Sequence, residues 1–134
     1  MSERARAAVE RGYEAWNSGD VEALLETLHP DIVWEPSGAF PGIGDRYEGH
    51  AGVREFWRDF TAPWEWVRVQ LTESRDLGED DLLVRARFHG RGRGGIEVEQ
   101  EFGQRYEIRG ELLYRMHSYG SWDEALAATG AGDS

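Results

Sequence analysis

The main change in the spacing of hydrophobic residues along this chain falls near residue 62, and that change limits the folds it can adopt. Before that point, apolar residues mostly recur every three or four positions, which is typical of amphipathic helices. After it, apolar and polar residues alternate, which is typical of strands with one buried face. Helices followed by strands predict an α+β domain, with the helices packed on one face of a curved antiparallel sheet. The predicted helices are 3–17, 21–28, 51–61 and 122–128, and the predicted strands are 31–35, 66–75, 82–89, 96–108 and 112–119.

Glycine and proline mark the ends of several of these elements. The second helix is expected to stop at His29 and Pro30, because the residue before a proline avoids the α region. A loop rich in both residue types follows the first strand, at 36–49. The length fits one domain, 1–134, without an internal repeat, and its last residues, 129–134, are expected to form a frayed tail.

Composition and charge exclude several classes of partner. The net charge is −11, which argues against nucleic acid and against an anionic membrane surface. The chain has no cysteine, so disulfides, thiolate nucleophiles and zinc–thiolate sites are excluded. No apolar run approaches the roughly 20 residues that span a bilayer, and the first residues have no apolar signal core. A cytoplasmic protein is therefore expected.

The aromatic content is high for a chain of this length. There are six Trp, five Tyr and five Phe residues. A core of this size rarely needs so many large rings, whereas aromatic-lined pockets often use them. The sequence therefore favours an apolar pocket over a solid core.

Three segments carry a resemblance to a known family. They read YEAWNSGD at 13–20, LHPDIVW at 28–34 and YEGHAGVREFW at 47–57. Together with the closing strand and helix, 106–126, their order and spacing resemble the SnoaL-like and ketosteroid-isomerase-like branch of the nuclear transport factor 2-like superfamily. The likeness covers nearly the whole chain, although no single motif is specific.

The resemblance implies a cone-shaped fold in which a curved antiparallel sheet wraps around the N-terminal helices and opens to a deep pocket. Its members include ketosteroid isomerases, polyketide cyclases, epoxide hydrolases and binders without enzymatic activity, so it implies a fold better than a reaction. Many members are homodimers that pair through the outer sheet face, and the same is expected here.

Glu35 is the first candidate for catalysis. The resemblance implies a general base at this position, because ketosteroid isomerases carry an acid before a proline, here Pro36, after the same short strand. Such a base works in an apolar cavity that raises its pKa, and Trp34 could supply part of the wall. Tyr13 lies near the place of the isomerases' tyrosine donor, whereas Phe102 falls near that of their aspartate and cannot donate a hydrogen bond. That difference argues against steroid isomerisation, and an ion-pair or solvated role for Glu35 stays open.

Other members of the fold imply alternative chemistry on the sheet. Polyketide cyclases use an acid–base pair, for which His89 or His117 is available, although alternation puts both on the outer face. Epoxide hydrolases use an arginine between two aspartates, for which Arg85 or Arg87 is available. Ion pairs with glutamates of the neighbouring strand explain these arginines at least as well. The four histidines lack paired spacing, so no metal and no cofactor are assigned.

The aromatic residues define the predicted ligand site and, with it, the predicted function. We expect the chain to bind a small apolar or aromatic molecule, either as an isomerase, cyclase or hydrolase with Glu35 and Tyr13 as catalytic residues, or as a non-enzymatic binder. A dimeric protein-interaction module that uses the outer sheet face is the third alternative. The predicted ligand-binding residues are Trp16, Trp34, Tyr47, Phe56, Trp57, Phe60, Trp64, Phe88, Phe102 and Tyr106.

Overall fold

A computed structural model describes residues 3–36 and 43–131 of the chain. The helices are α1 (Glu3–Asn17), α2 (Val21–Glu26), α3 (Gly49–Thr61) and α4 (Trp122–Thr129). The strands are β1 (Leu28–Glu35), β2 (Tyr47–Glu48), β3 (Trp64–Gly78), β4 (Asp81–Gly92), β5 (Glu97–Arg109) and β6 (Leu112–Tyr119). The α+β class is confirmed.

The described strands form one curved, unclosed sheet. Their order is β2-β1-β6-β5-β4-β3. Strands β3 to β6 pair as successive antiparallel neighbours, as alternation predicts. The expectation of an entirely antiparallel sheet is wrong at one pair, because β1 and β6 run parallel. This pairing places the first strand between β2 and β6 and sets its inward residues beside those of β6.

The helices lie on both sides of the sheet. The first three pack against its concave inner face and enclose the main core with it. Helix α4 packs on the outer face, where Trp122 and Ala125 cover Leu83 of β4. The expectation that all helices share one face is therefore wrong for α4. No helix in the described ranges is both long and apolar enough to cross a membrane.

The second helix ends earlier than its sequence pattern predicts. It stops at Glu26, and the backbone N–H of Thr27 closes the last turn on Leu24. His29 and Pro30 then lie inside β1 and not at a helix end. Proline is tolerated there because the pairing of β1 with β6 is interrupted between Leu28 and Val33.

Other boundaries differ by a few residues. The two-residue strand β2 pairs with β1 inside the segment expected to be loop, and α3 begins at Gly49. Strands β3 and β4 extend to Gly78 and Gly92, so the turns that follow them are shorter than the sequence predicts. Thr129 still belongs to α4. The rest of the expected loop at 37–42 and the tail at 132–134 lie outside the described residues.

Asn17 joins the end of α1 to the edge strand β3. Its side-chain amide donates to the carbonyl oxygen of Val69 at 2.8 Å. Its side-chain oxygen accepts from the Val69 N–H at 2.9 Å. Both outward-facing backbone groups of Val69 are therefore paired, and the helix end is fixed over the rim of the sheet.

Candidate functional site

A cavity of about 40 Å³ lies between the inner face of the sheet and helices α1 to α3. Its wall is almost entirely apolar. It is lined by Gly12, Tyr13 and Trp16 of α1, Leu24 of α2, Trp34 of β1, Pro36, Phe56 and Phe60 of α3, Val69 of β3, Phe88 of β4, Phe102, Gln104 and Tyr106 of β5, and Leu113, Met116 and Ser118 of β6.

Strand and helix periodicity bring these side chains together. Successive strand residues point to opposite faces, so the even-numbered Phe102, Gln104 and Tyr106 of β5 all point inward. On α1, Tyr13 and Trp16 are three residues apart and lie on the buried face. The cavity is thus built mainly from side chains of regular elements, which set their directions.

A connected polar group crosses the apolar wall. The side-chain oxygen of Gln104 accepts hydrogen bonds from the hydroxyls of Tyr13 at 2.6 Å and of Tyr106 at 2.7 Å. The side-chain amide of Gln104 donates to the Ser118 hydroxyl at 3.2 Å, and that hydroxyl lies 3.3 Å from the sulfur of Met116. Gln104 is 8% exposed and Ser118 is 1% exposed. The group is therefore buried and internally satisfied.

The two tyrosines of this group stay protonated over a wide pH range. Burial raises the pKa of Tyr13 well above its usual value of 10.0, and the neighbouring Tyr106 raises it further. Burial also raises the pKa of Tyr106, although the Tyr13 hydroxyl offsets part of that rise. Both side chains therefore act as neutral hydrogen-bonding groups at physiological pH.

Two indole N–H groups in the wall have no acceptor. They belong to Trp16 and Trp34, which are 8% and 5% exposed. Among the residues that the structure describes, neither group has a hydrogen-bond partner. An unpaired buried donor costs about 1–3 kcal/mol, so these two groups are an unusual feature of the wall.

The structure brings most of the predicted site residues to this cavity. Those that line it are Tyr13, Trp16, Trp34, Phe56, Phe60, Phe88, Phe102 and Tyr106. Three predicted ligand-binding residues lie elsewhere. Tyr47 packs against Phe56, and its hydroxyl accepts from the Gly44 N–H at 2.8 Å. Trp57 and Trp64 border a separate open groove beside the end of α1.

Glu35 lies outside the cavity. It follows the inward-facing Trp34 on β1, so its side chain points to the outer face of the sheet. There its carboxylate lies 3.4 Å from the Nδ1 atom of His117 and 3.8 Å from the guanidinium of Arg46. This is the geometry of an ion-pair partner, and the structure does not bring Glu35 to the Tyr13 hydroxyl.

The sheet histidine and arginine candidates also lie on the outer face. The Nε2 atom of His89 is 2.8 Å from the carboxylate of Glu97. Arg85 donates to Glu101 at 2.7 Å across the β4–β5 pair, as a cross-strand ion pair does. In the described part of the chain, no cluster of three or more His, Asp or Glu residues could hold a metal ion. None of these groups faces the cavity.

Sequence reasoning missed Gln104 and Ser118, the polar residues at the centre of the site. Alternation could have found both. Gln104 is two residues from both Phe102 and Tyr106, so it faces the same side of β5 as they do. Ser118 is two residues from Met116 and faces the same side of β6. A polar residue at an inward position of an otherwise apolar face is the signal that identifies them.

The cavity can accept and orient a molecule, but its described wall contains no base. No carboxylate and no histidine is among the lining residues, and the tyrosines remain protonated. What the wall offers is apolar surface, neutral hydroxyls and free indole donors. This chemistry suits binding and orientation of a small molecule.

Many solved structures, including the following three, are similar to this fold. TerC, co-crystallized with polyporic acid, has a TM-score of 0.78 and 22% identity, covering 87% of this chain and 90% of that chain. RV0760c from Mycobacterium tuberculosis, in complex with estradiol-17beta-hemisuccinate, has a TM-score of 0.77 and 22% identity, covering 92% and 98%. A protein with a ketosteroid isomerase-like fold from Catenulispora acidiphila, in complex with trimethylamine, has a TM-score of 0.75 and 20% identity, covering 97% and 95%.

The sequence itself matches a family over most of its length. No curated protein matches it significantly. The sequence model of the SnoaL-like domain, however, matches residues 9–116. That span runs from the first helix to the last strand and includes nearly every residue that lines the cavity. The resemblance drawn from the sequence is confirmed, and the chain belongs to the SnoaL-like domain family.

Proposed function

We propose that this protein binds a small, largely apolar molecule in the cavity between the sheet and α1 to α3. The observation that carries the proposal is the composition of the wall, in which aromatic and aliphatic side chains surround one polar group centred on Gln104. Pockets of this kind take up apolar ligands and use a few polar groups to orient them. The ligands of TerC and RV0760c, polyporic acid and estradiol-17beta-hemisuccinate, support a ring-containing ligand.

The volume of the cavity limits how the ligand binds. A volume of about 40 Å³ is well below the roughly 150 Å³ of a protein cavity that binds benzene, so a ring compound does not fit without movement of the wall. We therefore propose that the wall opens as the ligand enters. Phe56 and Phe60 stack on each other at 5.4 Å between their ring centroids, and outward movement of this pair would enlarge the cavity.

We favour binding without catalysis over proton transfer. An isomerase or cyclase of the expected kind needs a carboxylate in the cavity, and Glu35 lies on the opposite face of its strand. Turnover of a bound compound that is lost in Glu35→Gln would contradict this choice and restore Glu35 as the base.

Binding is tested with a panel of ring compounds of increasing size, namely 1-naphthol, estradiol and polyporic acid. We expect at least one to raise the melting temperature of the protein and to titrate with a defined dissociation constant. Val69→Phe adds bulk to the wall and should weaken that binding at least tenfold. Val67→Phe is the matched control, since Val67 lies on the same strand but does not line the cavity. Equal binding by both variants, or none by the whole panel, would contradict the proposal.

Two further expectations from the sequence stand as proposals. The first is a cytoplasmic location, which cell fractionation with a tagged chain would test. The second is a homodimer that pairs through the outer face of the sheet. In support, the part of that face formed by β3 to β5 carries paired charges such as Arg85 with Glu101.

A further inference from the structure

The free hydrogen-bonding capacity of the cavity wall is concentrated at two tryptophans. The indole N–H groups of Trp16 and Trp34 are buried and have no acceptor in the described residues. Both rings pack against the same phenylalanine, Phe56, at centroid distances of 5.9 Å and 5.5 Å. The two indole rings therefore lie in one region of the wall. Because buried polar groups are nearly always paired, an acceptor from another molecule is the natural partner.

The only side-chain carbonyl oxygen in the described wall, that of Gln104, is already occupied. The side-chain oxygen of Gln104 receives two tyrosine hydroxyls, which fills both of its lone pairs. The Ser118 hydroxyl accepts from Gln104 and points its own hydrogen at the sulfur of Met116. The wall thus has no spare carbonyl oxygen among its side chains to offer a ligand, whereas it has two spare N–H donors.

The wall also carries no charge. None of its described residues is Asp, Glu, His or Arg. An ion buried against such a wall would lose its hydration without gaining a counter-charge, which is strongly unfavourable.

We propose that the cavity selects an uncharged molecule whose oxygen atom accepts a hydrogen bond from the indole N–H of Trp16 or Trp34. The inference rests on the proposed function, since it requires that the cavity binds a small molecule. It adds the chemical class of the ligand, a neutral compound with a carbonyl or ether oxygen on an apolar frame, and assigns the two tryptophans as the residues that determine specificity.

The test uses two probes of nearly equal shape, acetophenone and α-methylstyrene. Acetophenone has a carbonyl oxygen where α-methylstyrene has a methylene group. Benzoate is the anionic third probe. The two neutral probes partition differently from water, so the readout is the ratio of their dissociation constants in each protein variant. We expect Trp16→Phe or Trp34→Phe to shift this ratio against acetophenone by about fivefold, the effect of one hydrogen bond. Benzoate should bind at least tenfold more weakly than acetophenone.

Trp57→Phe is the matched control. Trp57 packs against Trp16 at 4.8 Å between ring centroids but does not line the cavity, so the ratio should stay at its wild-type value. In the unaltered protein, the indole N–H signal of Trp16 or Trp34 in a ¹H–¹⁵N spectrum should move downfield with acetophenone and not with α-methylstyrene. This second measurement does not depend on the folding of any variant.

The outcomes separate the two proposals. Binding of both neutral probes with the same ratio in every variant, or indole signals that do not respond to acetophenone, would overturn the inference and leave the proposed function intact. Benzoate binding as tight as acetophenone binding would overturn it as well. If neither neutral probe binds, and the larger ring compounds fail too, the proposed function falls and the inference with it.

Discussion

Gln104 connects the two tyrosines of the cavity, and its side chain decides how that polar group is satisfied. It reaches Tyr13 on the first helix across 91 positions of sequence, and it reaches Tyr106 on its own strand. The same side chain donates to Ser118 on the neighbouring strand. One residue therefore ties a helix and two strands together through hydrogen bonds that are shielded from water.

Gln104→Leu should destabilise the protein by about 2–4 kcal/mol, because it leaves the Tyr13 and Tyr106 hydroxyls buried without an acceptor. Urea unfolding curves of the variant and the unaltered chain measure the difference. Gln70→Leu, at an exposed position of β3, is the control and should change stability by less than about 0.5 kcal/mol. Equal stability of the two variants would show that the hydroxyls find other partners.

The tyrosines predict how stability changes in alkali. An unfolded tyrosine ionises near pH 10, whereas burial raises the pKa of both Tyr13 and Tyr106 in the fold. Below about pH 10 both states hold the same protons, and the stability that these groups contribute is fully present. Above it only the unfolded chain ionises, so the free energy of unfolding should fall by up to about 1.4 kcal/mol per pH unit for each tyrosine.

Unfolding free energies measured between pH 9 and pH 11.5 test this dependence. The doubly substituted chain, Tyr13→Phe with Tyr106→Phe, keeps both rings but loses both ionisable groups, so its stability should fall less steeply with pH. A slope that is the same in both proteins would mean that other groups control the alkaline transition.

At the scale of single residues, the sequence predicts the apolar part of the site better than the polar part. Large aromatic residues are easy to recognise as candidates for a pocket wall, and eight of the predicted site residues do line the cavity. The role of Glu35 was inferred from its resemblance to a catalytic position, although strand parity with Trp34 already directs it outward. Gln104 has no distinguishing chemistry by itself. Its role arises from partners that only the folded chain brings within 2.7 Å.

At the scale of elements, helix α4 depends on a glycine in the strand beneath it. A Cβ atom on Gly103 of β5 would lie 2.5 Å from the Cβ of Ala125, far inside van der Waals contact. The helix can therefore approach the outer face closely enough to bury Trp122 and Leu83. Gly103 on the strand and Ala125 on the helix are both small, so the two elements pack closely at this point.

Gly103→Ala should cost about 1–3 kcal/mol, since α4 must shift away from the sheet to make room. Gly94→Ala is the control, because a Cβ there meets no atom within 4 Å. Addition of Ala125→Gly to Gly103→Ala should recover part of the loss, and thermal unfolding of the four proteins gives this coupling energy. A coupling energy of zero would mean that the two residues do not meet.

The sequence predicts which segments form helices and strands, but it does not predict which strands pair with each other. Long alternating segments such as 82–89 and 112–119 predict strands correctly because one face is buried along their whole length. The parallel pairing of β1 with β6 joins residues more than 80 positions apart, and no local pattern encodes it. Strand β2 has only two residues, which are too few to show an alternation of apolar and polar side chains.

At the scale of the whole molecule, the outer face of the sheet is divided in two. Helix α4 covers one part, and the part formed by β3 to β5 carries a lattice of charges. Arg85 lies between Glu73 and Glu101 in this lattice, and Arg91 lies between Glu65 and Glu97. If two copies pair through this face, as proposed above, charge complementarity and not apolar burial would hold them together.

We expect the protein to sediment at twice its chain mass of 15.2 kDa at micromolar concentration, and the dimer to weaken as salt is raised from 50 to 500 mM. Analytical ultracentrifugation measures both effects. Arg87→Glu, on the outer face of β4, should weaken the dimer, whereas Arg58→Glu on the exposed side of α3 should not. A monomer at 50 µM in low salt would exclude the expected pairing.

The amide of Asn17 has a consequence for how copies of this molecule meet in a crowded solution. Strand β3 forms one rim of the sheet, and an uncovered rim can recruit the strand of another chain and extend without limit. A recruited strand needs successive donors and acceptors, and at Val69 both are already taken. The end of the first helix therefore occupies the outward hydrogen-bonding groups of the rim at Val69, and a strand of another chain cannot pair with the sheet at that residue.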